Sequence, residues 1–224
     1  MSKESRPVII FGNGSMARVL YSYMKKDFDV AAFCVDRTFI KEENFLNKPI
    51  VPFEDIESKY SPDKYVMINS IGFIQMNKLR EIRSVEAQQK GYELISYIDE
   101  SVKIHNNVTI GKNCIILDYV SIHPNTSIED GTFISSNVNI GHDCKIGKYN
   151  WINSGVSIAG FVNVGERCFW GVNSSSGNNI SIGKENYIAA NTMIAKNTDD
   201  ADVYISQPAE KIRLKSDKFL KFIG

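Results

Sequence analysis

From Ile104 onward an aliphatic residue returns every six positions: Ile104, Ile110, Ile116, Ile122, Ile128, Ile134, Ile140, Ile146, Ile152, Ile158 and Val164, then, after Trp170 and Ser176, Ile182, Ile188 and Ile194. That is 14 aliphatic residues in 16 hexads without one insertion, a run that chance does not produce in a single register. Four positions after each lies a second column of mostly small or β-branched residues, such as Val108, Cys114, Val120, Thr126 and Cys144. It accounts for Cys114, Cys144 and Cys168 as small core fillers. The column three after each aliphatic begins Asn107, Asn113, Tyr119, Asn125, Gly131, Asn137, Asp143, and 11 of its 16 members are Asn, Gly or Asp. These residues tolerate the left-handed backbone of tight turns. Each hexad is therefore one short strand and one sharp corner, and a corner recurring at this spacing winds the chain into a parallel β-helix whose coils bury one another's faces.

The first ninety-odd residues follow a different rule. "VIIFG" reads as a buried strand, "SMARVLYSYMKK" as an amphipathic helix, "DVAAFCVD" and "YVMINS" as further strands, and "MNKLREIRSVEAQQKG" as a helix leading into "YELISYID". Alternating strands and helices predict a small parallel α/β sheet. Between the first strand and helix lies "GNGSMA", with Gly12, Asn13, Gly14, Ser15 and Met16, and Asp36 followed by Arg37 closes the second strand. Glycines there let backbone and helix N-terminus approach a diphosphate, while an acid at the end of the next strand grips a hydroxyl or base edge. The alternative is a tight turn whose glycines only permit close packing. A nicotinamide cofactor is the rival ligand, but the α/β part is short for a full dinucleotide site, so a single nucleotide diphosphate suits it better.

Composition narrows the function. Lys plus Arg and Asp plus Glu balance at 26 each with no basic block, so no nucleic-acid partner is expected. No run approaches 18 apolar residues, and "MSKESRPVIIFGNG" lacks the pattern of a secretory leader, so no membrane insertion is expected and a soluble cytoplasmic protein is the default. Cys34, Cys114, Cys144 and Cys168 show no metal-ligand spacing, so neither disulfides nor a metal site are expected.

Taken together, "FGNGSMA", "CVDR", "GHDCKIG", "SIAGFVNVG", "CFWGVNSS" and the terminal "QPAEK" resemble the bacterial nucleotide-amino-sugar N-acetyltransferases of the hexapeptide-repeat superfamily, related to the sialic acid O-acetyltransferase group. The resemblance spans nearly the whole chain. It implies a Rossmann-like nucleotide-sugar-binding domain over residues 1–98, a left-handed β-helix binding acetyl-CoA over 99–203, and a C-terminal tail over 204–224. Three hexads per coil give about five coils stacked at ~4.8 Å. The resemblance also implies a homotrimer with acetyl-CoA between neighbouring subunits, and a UDP- or dTDP-linked dideoxyamino sugar as acceptor.

His142, in "GHDC", falls where such enzymes keep their catalytic base. An amine attacks a thioester through its lone pair and must shed a proton, for which a neutral imidazole is the natural acceptor. The residue one coil further, eighteen on, is Gly160, whose missing side chain leaves room for the pantetheine arm. Asp143 is placed to orient the imidazole, unless it only makes the turn. His105 and His123 lie in the earliest coils and read as surface residues.

The chain also departs from the family pattern. Trp151 stands where many relatives carry a second histidine, Ser206 replaces the glycine before the terminal proline, Pro208, and Ala190 occupies a position that is often glycine near the cofactor. Trp151 belongs to an outward column with Phe133, Phe169 and Tyr187, a ladder expected to pack within the trimer, though its indole could still donate one hydrogen bond at the cofactor. Two other functions stay open: O-acetylation of a sugar or sialic acid hydroxyl, and a non-catalytic trimeric β-helix scaffold.

Overall fold

The computed structural model describes residues 4–223; residues 1–3, which open the polar leader, and Gly224, which ends the tail, lie outside the described residues. The first strand, β1 (Val8–Phe11), is buried along its whole length. The glycine turn leads into α1 (Ser15–Met24), which buries Ala17, Leu20 and Met24 at the three- and four-residue spacing of a helical stripe. Next come β2 (Val30–Val35), a hairpin of β3 (Asn44–Phe45) and β4 (Lys48–Pro52), the short helix α2 (Ile56–Lys59), β5 (Val66–Asn69) and α3 (Lys78–Gln89). The sheet runs β3-β4-β2-β1-β5, parallel except for the β3–β4 hairpin. That hairpin is absent from the sequence reading. Its tip residues Leu46 and Asn47 both take positive φ, 53° and 61°, as a two-residue turn of this kind requires, and a leucine there hides the usual Asn-Gly signature.

From Tyr97–Ile98 to Val203–Tyr204 the chain winds two-residue strands onto three faces of seven, six and five parallel strands. Strands eighteen residues apart pair in register, Ile122 with Ile140 and Ile140 with Ile158. The stacked faces are consistent with the expected left-handed β-helix. From Asn107 to Asn191 every member of the corner column has φ between 55° and 72°, including Tyr119, Tyr149, Phe161, Arg167 and Glu185, so the coil imposes the left-handed conformation even on side chains that disfavour it. Cys114, Cys144 and Cys168 are buried inside the coils, as expected. The two residues that break the aliphatic column share one coil, where the fully buried Trp170 fills the interior and Ser174 and Ser176 are the small residues beside it.

The aromatic ladder corrects an expectation. Phe133, Trp151 and Phe169 are only 4%, 6% and 8% exposed, and they are covered by the chain's own α/β domain rather than left for another subunit. They join one apolar cluster with Val8, Ile10, Leu20, Phe33 and Val66. The apolar side of the β1–β5 sheet needs a cover, and the seven-stranded face supplies it. Phe73 closes the joint from above, its ring 5.6 Å from Trp151 and 4.6 Å from Phe169. Tyr187 alone of the four remains exposed.

A buried arginine locks the two parts together. Arg80 of α3 is fully buried and donates to four backbone carbonyls, those of Asn69, Ile71, Gly131 and Asn113, at 2.5, 3.0, 2.8 and 3.3 Å. With no carboxylate partner among them, burial pushes its guanidinium down to about 10. Asn69 and Asn113 meet through a backbone N–H bond of 2.9 Å, and both amides reach the Ser84 hydroxyl at 3.0 Å.

Candidate functional site

The strand Asn139–Ile140 ends in a corner, Gly141-His142-Asp143-Cys144, pinned on three sides. Cys144 points inward. Asp143 takes φ 56° and its N–H donates to the Pro124 carbonyl at 2.9 Å. Gly141 packs so closely on the next coil that a Cβ would lie 2.6 Å from the Ala159 and Gly160 backbone. The one remaining direction is outward, and His142 takes it, with its side chain about half exposed at 51%.

The imidazole is nevertheless held. Its Nδ1 lies 2.7 Å from Asp143 Oδ2, and the bond with His142 holds the Asp143 carboxyl below its ordinary value. A carboxylate only accepts, so Nδ1 carries the hydrogen and Nε2 the lone pair. Nε2 faces Gly160: a Cβ built there would sit 2.7 Å from it. Phe161 stands edge-on to the ring at 4.9 Å and 86°. The structure thus brings together His142, Asp143 and Gly160, the three residues that the sequence placed at one corner. His105 and His123 stack on each other at 5.1 Å along the same edge, in the lower coils.

The glycine turn lies at the carboxyl ends of β1, β2 and β5. Gly12 takes φ 116°, and a Cβ there would strike Ser70 Oγ at 2.6 Å, so this glycine serves the packing of the turn. Gly14 differs: its φ is −91° and nothing lies within 4 Å of a Cβ built on it. No side chain caps α1 and no acid sits in its first turn, so the partial positive charge of the helix start faces open space. Ser15 is exposed, Asn13 half-buried, and Met16 packs into the apolar cluster. Asp36 is paired with Arg83 of α3 at 2.6 Å, while the Arg37 guanidinium pairs with Asp55 and the Arg37 backbone N–H donates to the Glu54 carboxylate, partners that the sequence does not announce.

The remaining expected residues lie apart. Trp151 is in the domain joint, Ala190 on a different edge of the prism from His142, and Pro208 in the exposed segment 207–221. A cleft of about 1020 Å³ between the end of α1 and the first coils, lined by Tyr23, Phe28, Tyr97, Asp99, Lys112 and Asp130, contains no residue of either site. Because the α/β domain covers the seven-stranded face, its glycine turn and His142, at the corner opposite that face, sit on opposite sides of one prism.

Two residues beside the imidazole escaped the sequence reading, Phe161 and Asn125. Both are eighteen residues from Asp143, the spacing that gave Gly160, so the same arithmetic finds them.

No protein-family model matches the chain, and no curated protein matches its sequence. Solved structures do match. PerB from Caulobacter crescentus, in complex with CoA and GDP-perosamine, superposes with a TM-score of 0.80 at 23% identity, covering 91% of this chain and 95% of that one. A histidine-to-asparagine variant of that perosamine N-acetyltransferase, also in complex with CoA and GDP-perosamine, gives 0.82 at 23%, covering 94% and 98%. The acetyltransferase domain of PglB from Neisseria gonorrhoeae FA1090 gives 0.81 at 17% identity, covering 93% and 100%. At these identities the likeness establishes the fold.

Proposed function

We propose that this protein is an acetyltransferase that moves the acetyl group of acetyl-CoA to the amino group of a nucleoside-diphosphate-linked amino sugar. The observation that carries the reading is the His142–Asp143 pair, in which a carboxylate holds a half-exposed imidazole by Nδ1 and leaves Nε2 as the proton acceptor, with the ring seated where a Gly160 Cβ would collide with it. The likeness to a fold whose solved examples hold CoA and GDP-perosamine supports it. The amine nitrogen attacks the thioester carbonyl, the C–N bond forms, and Nε2 takes the amine proton. The C–S bond then breaks, and the proton returns to the departing thiolate. Asp143 holds the ring in the required tautomer and balances the imidazolium while it exists.

The parallel strands of the N-terminal sheet run β4-β2-β1-β5, an order that we read as Rossmann-like, and the open helix start at Gly14 and Ser15 is the proposed diphosphate site. Asp36 keeps one carboxylate oxygen for the nucleotide while Arg83 holds the other. The solved example carries a GDP sugar, which weakens the preference for UDP or dTDP drawn from sequence. With the glycine turn and His142 on opposite sides of the prism, the proposed catalytic centre joins the nucleotide domain of one copy to the imidazole of another. A closed threefold ring provides that contact, and it replaces the aromatic ladder as the argument for a homotrimer. Ala190 and the Pro208 segment reach acetyl-CoA in the same way, from a neighbouring copy.

His142→Ala tests the reading. Corner slots in this prism accept many side chains, so the coil should persist and both ligands should still bind. Thiol release from acetyl-CoA, with GDP-perosamine and with UDP- and dTDP-linked amino sugars as acceptors, should fall by about 10²–10⁴. Near-normal turnover by a folded His142→Ala protein would sink the proposal.

A further inference from the structure

We infer that Asn125 is a positioning residue for the His142–Asp143 pair, an inference that rests on the base assignment above. The side-chain hydrogen bonds run in one direction along this edge. Asn107 Nδ2 donates to Asn125 Oδ1 at 3.1 Å, and Asn125 Nδ2 donates to Asp143 Oδ1 at 3.2 Å. Asp143 Oδ2 accepts from His142 Nδ1 at 2.7 Å. Asn107, Asn125 and Asp143 lie eighteen residues apart, so the coil itself sets their spacing. The order of donors has a chemical consequence. Asn107 occupies the Asn125 oxygen and turns the Asn125 amine toward Asp143, which engages one carboxylate oxygen and leaves the other for the ring.

This ladder is not a general property of left-handed corners. Asn173 and Asn191 are likewise stacked neighbours on another edge, and among the described residues no side chain-to-side chain hydrogen bond joins them, while Asn137 on that edge lies between Tyr119 and Gly155. On the His142 edge the ladder stops at Asp143, because the next position is Phe161, which instead packs against the imidazole at 4.9 Å. The polar chain therefore ends at the carboxylate that holds the ring, and the next position carries an apolar side chain that packs on the imidazole.

Asn125 has φ 61°, so glycine is the substitution that removes the amide without straining the turn. In Asn125→Gly, kcat should fall roughly fivefold, the equivalent of about 1 kcal/mol for one lost hydrogen bond. The KM values for acetyl-CoA and GDP-perosamine, and the melting temperature, should stay within error. Asn125→Asp, which turns a carboxylate toward Asp143, should lose at least as much. In an Asp143→Ala background Asn125→Gly should have no further effect on kcat, whereas a merely structural role would give an additive loss. A substrate-free readout runs beside these. With ¹⁵N-labelled histidine, only three ring systems need assignment, and at about pH 9, where ordinary histidines are neutral, the His142 signals should show the Nδ1–H tautomer, with a smaller share of it in Asn125→Gly. An unchanged tautomer share and unchanged kcat in Asn125→Gly, while His142→Ala is inactive, would overturn this inference alone. An active His142→Ala protein would remove the base assignment and this inference with it.

Discussion

Trp151→Ala takes the largest side chain out of the joint between the α/β domain and the prism. The indole is 6% exposed, stacks on Phe133 at 4.1 Å, and donates from Nε1 to Asn153 Oδ1 at 3.2 Å. A buried tryptophan covers about 150–250 Å², which at ~25 cal/mol per Å² is about 4–6 kcal/mol as an upper figure. Truncations of this kind in cores run to about 3–5 kcal/mol. The inward residues of the same face, Ile134, Ile152 and Trp170, are untouched, so the loss falls on docking and not on the coils. Calorimetry should therefore show the α/β part melting ahead of the prism. The first transition should move down by at least about 10 °C, given that 1 kcal/mol is worth roughly 4–8 °C for a domain of this size. Amide exchange in β1 and β5 should accelerate while exchange in the coil strands holds. A protein that melts as before yet loses most turnover would refute the reasoning and put the indole at the acetyl group.

Gly14→Ala should leave the melting temperature within about 1 °C, since the fold offers a Cβ open space at an ordinary φ, yet weaken GDP-perosamine binding at least about tenfold in titration calorimetry, because that space is the proposed diphosphate site; unchanged affinity would show that no phosphate lies there. Gly12→Ala should behave in the opposite sense and destabilise the protein by about 1–3 kcal/mol in chemical denaturation, through positive φ and the contact with Ser70. Asp118 accepts from the Ser136 hydroxyl and from Tyr23 Oη at 2.7 Å, which together hold its carboxyl below the ordinary 3.8, the Ser136 bond being the larger cause. Its folded pKa is depressed, so its stabilisation is complete above the unfolded value and is lost as pH falls through the folded one. Asp118→Asn should flatten the fall of melting temperature below about pH 4, and an unchanged acid limb would assign that loss to other carboxylates.

What could be read from sequence, and what could not, follows from how local each signal is. The hexad register is set by residues six apart, and the neighbours of His142 by residues eighteen apart, so both follow from counting. The cover of the aromatic ladder does not. Phe133, Trp151 and Phe169 point outward, and an outward aromatic states only that something lies over it; which surface that is depends on the apolar side of a sheet far earlier in the chain. Arg80 was hidden for a related reason. It sits in the polar stretch "KLREIRS", where an arginine reads as solvent-facing, and its burial is possible only because four carbonyls from both parts of the chain converge on it. Asn125 was hidden in plain view, one of a column of corner asparagines whose backbone need explains all of them equally well.

The glycines show how the structure separates a residue that the fold needs from one that it does not. Gly12 is required by φ and by Ser70, and Gly141 by the coil stacked on it at 2.6 Å. Gly160 has an ordinary φ, and the three atoms nearest to a Cβ built there all belong to the His142 ring. What the position protects is the place of an imidazole. Gly14 has neither constraint: its φ suits any residue and its surroundings are empty. A position where a side chain would meet nothing, at the uncapped start of a helix and the carboxyl ends of parallel strands, has no reason within the fold to be glycine. If Gly14 is needed at all, the need comes from what binds there, and Gly14→Ala separates the two cases because it spares the fold.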